Sequence, residues 1–278
     1  MDRKPYDSDL TDAQWAVLDE LIPLPEVGPQ ERKYERREIL DAILYQKRTG
    51  CQWRYLPHDF PPWQSVAKYY YKWRGAGLFE QINNELRIRA RVASGRDESP
   101  SLGIMDSQSV KTTEVGGPKG FDAGKRVKGR KRHILVDVLG LLVAVIVTAA
   151  SVQDRDALPT LLREGKVVAQ RLENVLVDGA YTGDVVRDAE TQTGVKVTMV
   201  KRPDIKGFVV VPKRWIVERC FGWMNRDRRL SKDYERSIES SEAWIQLSFV
   251  HRMVRPSRLA RARRRREAVS PARTPFST

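Results

Sequence analysis

A change in hydrophobic periodicity near residue 100 constrains the fold more than any other feature of this sequence. Up to about residue 95, apolar residues recur at the three- and four-residue spacing of amphipathic helices. From Leu102 onward, short apolar runs such as Val175–Val177 alternate with helical patterns, which is typical of a mixed α/β sheet. The polar segment ASGRDESPS between them predicts a linker. We therefore expect an all-helical region over residues 1–95 and an α/β domain over residues 101–253.

Local signals predict where the first helices begin and end. Thr11 and Gln14 have the spacing of a capping box at the start of a helix. A second helix is expected over Arg36–Arg48, ended by Gly50, and a third over Trp63–Arg74 after a turn at two prolines.

Aromatic and basic residues are mixed around this turn. A helix, a tight turn and a second helix favour a helix-turn-helix-like DNA reader, in which Lys and Arg contact phosphates. An ordinary helical bundle explains part of the pattern, because half of the aromatic residues have core spacing. The cationic candidates for DNA contact are Arg54, Lys68, Lys72 and Arg74.

The charge balance favours a polyanionic partner. The formal net charge is +14, and much of it lies in an arginine-rich tail, which we predict to be disordered over residues 254–278. Nucleic acid is the commonest partner of such a chain, the alternative being a soluble basic protein without one.

The sequence shows no sign of a membrane span, a secretory signal or a Cys/His metal site. No apolar run approaches the ~20 residues of a membrane span, and the N-terminus lacks the apolar core of a secretory signal. The two cysteines and three histidines have no metal-ligand spacing. We expect a protein of the reducing cytoplasm.

Three acidic residues occupy comparable positions in the predicted elements. Asp106 follows the apolar run Leu102–Met105, Asp178 follows Val175–Val177, and Glu218 lies beside the apolar stripe of a long helix predicted over Pro212–Tyr234. Taken singly, each has an ordinary explanation as a turn residue or a surface pair. Three converging carboxylates would repel one another unless a divalent cation such as Mg²⁺ bound between them.

Four blocks of sequence carry a family resemblance. They are GCQWRYLPHDFPPWQSV, DSQSVKTTEVGGPKGFDAGKRVKGRKRHILVDVLG, VLVDGAYTG and RWIVERCFGWMNRDRRLSKDYE. In this order, over about residues 8 to 250, the chain resembles the DDE transposases of bacterial insertion sequences, most closely insertion sequence family 5. The resemblance implies a ribonuclease H-like catalytic domain with Asp106, Asp178 and Glu218 as its catalytic, metal-binding residues.

The same resemblance implies the reaction and its partners. Such an enzyme binds the terminal inverted repeats of its element, cleaves the DNA and transfers the freed strand to target DNA. It implies two Mg²⁺ (or Mn²⁺) ions, double-stranded DNA as partner, a homodimer in the synaptic complex, and a bacterial cytoplasmic, nucleoid-associated location.

Relatives often show a Tyr-Arg-Glu-Lys pattern around the glutamate. Arg214 and Glu218 match it, whereas Val211 and Asn225 occupy the tyrosine and lysine positions. Arg214 and Arg226 are candidate phosphate contacts. So are the cations of the glycine-broken stretch after Asp106: Lys111, Lys125, Arg126, Lys128, Arg130, Lys131 and Arg132. The ordinary alternative for this stretch is a flexible, solvated hairpin, because its glycines favour mobility.

Two alternatives remain open on the sequence. One is a nuclease of the same fold that performs no strand transfer. The other is a DNA-binding protein descended from a transposase and no longer catalytic.

Overall fold

The N-terminal region is helical, as predicted. The structure is a computed structural model that describes residues 3–23, 34–200 and 214–255. Its first four helices are α1 (Asp12–Asp19), α2 (Arg36–Thr49), α3 (Trp63–Gly75) and α4 (Leu78–Ala93). The Thr11–Gln14 capping box is present, and Gly50 ends α2 with a left-handed φ of 73°.

The second half alternates strands and helices. In chain order these are β1 (Leu102–Lys111), β2 (Gly120–Asp122), β3 (Val127–Asp137), β4 (Leu142–Ala149), α5 (Asp154–Val168), β5 (Asn174–Val177), α6 (Asp184–Thr193), β6 (Lys196–Met199), α7 (Arg214–Met224) and α8 (Ile238–Met253).

These strands form one mixed sheet. β1 lies at its centre, antiparallel to β3 and parallel to β5, and β6 extends the sheet in parallel beyond β5. The far edge of β3 pairs with β4 along most of its length and with the short β2 at its start. Leaving β2 aside, the order is β4-β3-β1-β5-β6, with three antiparallel strands followed by two parallel ones. This arrangement is that of the ribonuclease H-like fold, so the predicted fold class is confirmed.

Each face of the sheet is covered by a different set of helices. α5 and α6 cover one face through a cluster that includes Met105, Leu135 and Val177. The opposite face, with Ile104, packs against α7, α8 and the N-terminal helices in one continuous hydrophobic cluster. Tyr70 of α3 stacks on Trp244 of α8 with ring centroids 4.5 Å apart. The N-terminal helices therefore share their core with the sheet domain.

Polar contacts also cross from α4 to the sheet. Arg91 donates to the buried Asp137 carboxylate at 2.5 Å, and that carboxylate accepts the backbone N–H groups of Leu139 and Leu141 in the β3–β4 turn. The predicted hairpin connection at Gly140 is present, with a left-handed φ of 75°.

Two predictions about the second half were wrong in detail. β1 continues to Lys111, so Asp106 lies within a strand and does not end it. The long helix predicted to reach Tyr234 ends at Met224, and in the segment after it Asp227 pairs with Lys47. The glycine-broken stretch after Asp106 forms a hairpin, in which β2 pairs antiparallel with the start of β3.

Several predicted features cannot be compared with the structure. Val211, residues 24–33 and residues 256–278, which make up nearly all of the predicted tail, lie outside the described residues. Within the described ranges, no helix has the length and apolar character needed to cross a membrane.

Candidate active site and nucleic-acid surface

The two aspartates occupy equivalent positions on neighbouring strands. The parallel pairing of β1 with β5 ends where Ile104 meets Leu176. Asp106 follows Ile104 by two positions, and Asp178 follows Leu176 by two positions. The register therefore places the two aspartates level with each other. Because side chains alternate along a strand, Asp106 belongs to the face of Ile104, which is the face covered by α7.

Local hydrogen bonds hold the backbone around both aspartates. Asp178 is the first residue after β5, and its Oδ1 accepts the backbone N–H of Ala180 at 2.9 Å, which shapes the turn. Oδ1 of Asp106 accepts the N–H of Ser107 at 2.7 Å. Both aspartates are half-buried.

Glu218 is positioned by the packing of α7. Ile216, Val217 and Cys220 are buried against the sheet. Cys220 also contacts the β3–β4 turn, with its Sγ 3.5 Å from the carbonyl oxygen of Gly140. Glu218 lies next to this buried stripe and is exposed, so α7 packs against β1 with the carboxylate at the edge of the contact.

The donor chemistry fits a divalent cation. Carboxylate oxygens are the ligands preferred by Mg²⁺ and Mn²⁺, and the three acids lie on two adjacent strands and the helix that packs on them. Across the ranges that the structure describes, however, no group of three or more His, Cys, Asp or Glu side chains is arranged to hold a metal ion. A common site formed by Asp106, Asp178 and Glu218 stays a prediction.

Gln108 is a polar neighbour of Asp106 that the sequence reading missed. It follows Asp106 by two residues on β1, so both side chains belong to the same face. Its Oε1 is buried and has no hydrogen-bond partner among the described residues. The signal available in the sequence was its spacing, which becomes informative only once β1 is known to continue past Asp106.

The nearest strand histidine belongs to the opposite face. His133 pairs with Ser107 in the register of β1 and β3, and its Nε2 lies 3.0 Å from Oγ1 of Thr148. Burial lowers the pKa of His133 to about 4, so the imidazole is neutral near pH 7. It plays no part in the acidic site.

Most of the predicted DNA-contacting cations lie at the surface. The exposed ones are Arg54, Lys68, Lys72, Lys111, Lys128 and Arg226. Arg74 is half-buried and donates to Oγ of Ser240 at the start of α8. Arg214 begins α7, and its side chain lies outside the described part of the structure.

Arg130 and Arg132 are corrections to the predicted DNA surface. Both are 1 % exposed and are bound internally on the α8 side of β3. Arg130 pairs with the buried Asp233 at 3.1 Å, and Arg132 donates to the carbonyl oxygen of Leu230 at 2.8 Å. Lys131, on the other face, pairs with Asp154 at 3.0 Å. These cations hold the sheet to its flanking segments.

A ribonuclease H-like sheet with aspartates level on its central parallel strands, and a glutamate on the covering helix, is typical of DDE-class enzymes that act on phosphodiester bonds. Comparison with known families agrees. Residues 97–253 match the family described as "Transposase DDE domain", and residues 10–83 match "Putative transposase of IS4/5 family".

Individual relatives extend the comparison. The chain is 30 % identical over 151 residues to the "Putative transposase for insertion sequence element IS402" of Burkholderia cepacia, covering 52 % of this chain and 70 % of that protein. It is 26 % identical over 113 residues to an uncharacterized 16.2 kDa protein of insertion element IS402 from the same organism, covering 38 % of this chain and 76 % of that protein.

A solved structure, a Mos1 transposase paired-end complex with the left transposon end, covers 87 % of this chain and 82 % of its own with a TM-score of 0.31 and 13 % identity. That likeness is too low to add to the fold assignment, which rests on strand order.

The chain belongs to the DDE-domain transposase family and is an insertion-sequence transposase of the DDE class. The family recognised in the sequence is therefore confirmed. Membership implies the use of a divalent metal ion.

Proposed function

We propose that this chain binds the terminal inverted repeats of its element and catalyses metal-dependent strand cleavage and strand transfer at Asp106, Asp178 and Glu218. One observation carries the proposal: the register places the two aspartates level with each other, on the sheet face against which α7, the helix that carries Glu218, packs. The family assignment makes phosphodiester chemistry the natural use of such an arrangement.

The carboxylates would supply oxygen ligands for two Mg²⁺ (or Mn²⁺) ions. Bound there, such ions activate an oxygen nucleophile and stabilise the leaving oxygen of a phosphodiester in an in-line displacement. The contribution of the protein is rigid placement. Asp106 would be fixed by the pairing of β1 with β3, Asp178 by its turn, and Glu218 by the packing of α7.

DNA would be held by cations outside the acidic site. We assign backbone contacts to the exposed residues Arg54, Lys68, Lys72, Lys111, Lys128 and Arg226, to the half-buried Arg74, and to Arg214 at the start of α7. Such contacts position a duplex without reading its sequence. Element ends would be recognised by the N-terminal helical region. Because transposition joins two ends, we propose a homodimer in the synaptic complex.

The test is nicking of a supercoiled plasmid that carries the element ends, with and without Mg²⁺. Asp106→Ala, Asp178→Ala and Glu218→Ala should each abolish nicking while leaving end binding in a mobility-shift assay within about twofold. Asp188→Ala, an exposed carboxylate on α6, is the matched control and should retain full activity.

The outcomes separate the alternatives. Nicking by any of the three alanine variants would remove that residue from the site. Nicking by the parent chain without joining of precut ends to target DNA would identify a nuclease that performs no strand transfer. End binding without nicking in Mg²⁺ or Mn²⁺ would leave a DNA-binding protein derived from a transposase.

A further inference from the structure

A basic cleft lies where the end of α2 meets the segment after α7. It encloses about 530 Å³ and is lined by Arg48, Asn225, Arg226, Arg228 and Ser231. We call it the seam cleft. Of these five residues, only Arg226 was predicted from sequence to contact DNA, because the cleft is formed by the packing of two elements about 180 residues apart.

The walls of the seam cleft are held in place by buried contacts. Nζ of Lys47 lies 2.7 Å from Oδ2 of Asp227, and Ser248 of α8 donates to the same carboxylate at 2.6 Å. Arg48 donates to the carbonyl oxygen of Arg226 at 2.7 Å. At Gly50, an added Cβ would lie 3.2 Å from Arg228, so the two segments are in close contact. The cleft is therefore preorganised.

Positive charge in the seam cleft exceeds the negative charge available to balance it. Asp227 is paired with Lys47, while Arg48 lies further away, 3.9 Å from the same carboxylate. Arg226 and Arg228 are exposed on the rim. The pKa of the nearby buried His251 is lowered to about 2, mainly by burial and also by Lys47, Arg255 and Arg48. An anion entering the cleft would relieve this repulsion.

We propose that the seam cleft binds backbone phosphates of the DNA on which this transposase acts. The guanidinium fork suits phosphate oxygens, and three arginines with an amide and a hydroxyl provide several donors. This assignment rests on the proposed function. It adds a DNA contact from the N-terminal helical region, Arg48, to those made by the segment after α7.

The distance between the seam cleft and Glu218 indicates which phosphate of a bound strand the cleft would hold. Asn225 follows Glu218 by seven residues, which corresponds to about 10 Å along the axis of α7. Phosphates of one strand recur every ~3.4 Å along a duplex. On a duplex that runs parallel to α7, the phosphate in the cleft would lie about three nucleotides from the one at the acidic residues.

The experiment measures salt-dependent affinity of the full chain for a fluorescein-labelled 30-base-pair duplex of arbitrary sequence, by anisotropy between about 50 and 300 mM KCl. Each phosphate contact removed lowers the slope of log Kd against log[KCl] by about 0.9. Arg226→Ala/Arg228→Ala should thus lower the slope by about 2. Arg226→Lys/Arg228→Lys, which keeps the charge, should restore most of it.

The matched control is Arg163→Ala/Lys196→Ala. It removes two exposed cations from α5 and β6, neither of which lines the seam cleft, and should leave the slope unchanged. Arg48→Ala should lower it by about 1 more when added to the seam double variant. Urea unfolding of each variant checks that the fold is retained.

Two negative results have different meanings. If the parent chain binds the duplex and the seam variants keep its slope, the seam cleft is not a phosphate site and the proposed function stands. If the parent chain does not bind the duplex at all, the seam assignment is overturned, and the proposed function is decided separately by nicking of the plasmid that carries the element ends.

Discussion

The Lys47–Asp227 pair is the buried ionic contact that joins the N-terminal helices to the segment following α7, and its removal is a sharp test of the fold. The side chains are 2 % and 10 % exposed. Replacing Asp227 with Asn keeps the volume but leaves the Lys47 ammonium in a buried site without a counter-charge. Breaking one partner of such a pair costs about 3–5 kcal/mol in free energy of unfolding.

A surface pair of equal length sets the scale. Arg89 and Glu85 of α4 also lie 2.7 Å apart, but their side chains are 38 % and 41 % exposed. Solvent screens that pair, so Glu85→Gln should cost no more than about 0.5 kcal/mol. The comparison isolates burial, because the distance between the charged atoms is the same in both pairs.

The pH dependence of the Asp227→Asn variant has a defined sign. Burial lowers the pKa of Lys47, and loss of the carboxylate lowers it further. Above the folded pKa and below the unfolded one, the unfolded chain binds more protons, so stability rises with pH. The deficit of the variant should therefore be smaller at pH 9 than at pH 7.

Urea unfolding followed by tryptophan fluorescence at pH 7 and pH 9 measures both effects. Lys47→Met combined with Asp227→Asn should be more stable than Asp227→Asn alone, since no charge is then left unpaired. An Asp227→Asn variant within about 0.5 kcal/mol of the parent chain at pH 7 would refute the placement of this pair in the interior.

Four further substitutions test other parts of the structure. Arg130→Met should lower the free energy of unfolding by about 3 kcal/mol or more, because it leaves the buried Asp233 carboxylate without its cation. Lys128→Ala should change that free energy by no more than about 0.5 kcal/mol but should weaken DNA binding. Urea unfolding measures the stability of both variants, and a mobility-shift assay measures DNA binding. Burial raises the pKa of Glu242 from 4.5 to about 7, so the stability of the parent chain falls as pH rises through this interval. Glu242→Gln removes the buried charge. In thermal unfolding it should be more stable than the parent by up to about 3 kcal/mol at pH 8.5, with little difference at pH 4.5. Gly140→Ala should cost about 1 kcal/mol or more in urea unfolding, because φ is positive and the added Cβ would lie 3.2 Å from Cys220.

Local signals in the sequence were sufficient for most element boundaries. The Thr11 capping box and the Gly50 terminus describe contacts within a few residues of each other, and both predictions are confirmed. The end of α7 was missed because its cause is distant. Directly after the helix, Asp227 pairs with Lys47, and no property of residues 220–234 alone reveals that partner.

The sequence identified the residues of the acidic site but did not predict their positions on the sheet. The family resemblance identified Asp106, Asp178 and Glu218, yet their levels and faces follow from the register of β1 with β5. The sequence also placed Asp106 at a strand end. In the structure the pairing with β5 ends before it while the pairing with β3 continues past it, so one edge of β1 opens at the aspartate.

The basic run 125–132 shows why charge in a sequence does not specify its use. Neighbouring residues on β3 face alternate sides, so Arg130 and Arg132 point toward α8, and Lys131 points toward α5. Lys128, near the start of the same strand, remains exposed. The distinction depends on which covering helices extend along β3, and this is a property of the assembled fold.

The shared core places a constraint on how end binding and catalysis can be related. The hydrophobic cluster on the α7 side of the sheet is continuous with the N-terminal helices, and the Lys47–Asp227 contact closes the seam between them. A duplex phosphate held at Arg48 would therefore sit at a fixed distance from Glu218, without a flexible joint between the two. Any loosening of this seam should disturb the alignment of a bound DNA end before it affects the acidic residues themselves. Asp227→Asn accordingly connects the stability and the DNA contacts of this protein in a single substitution.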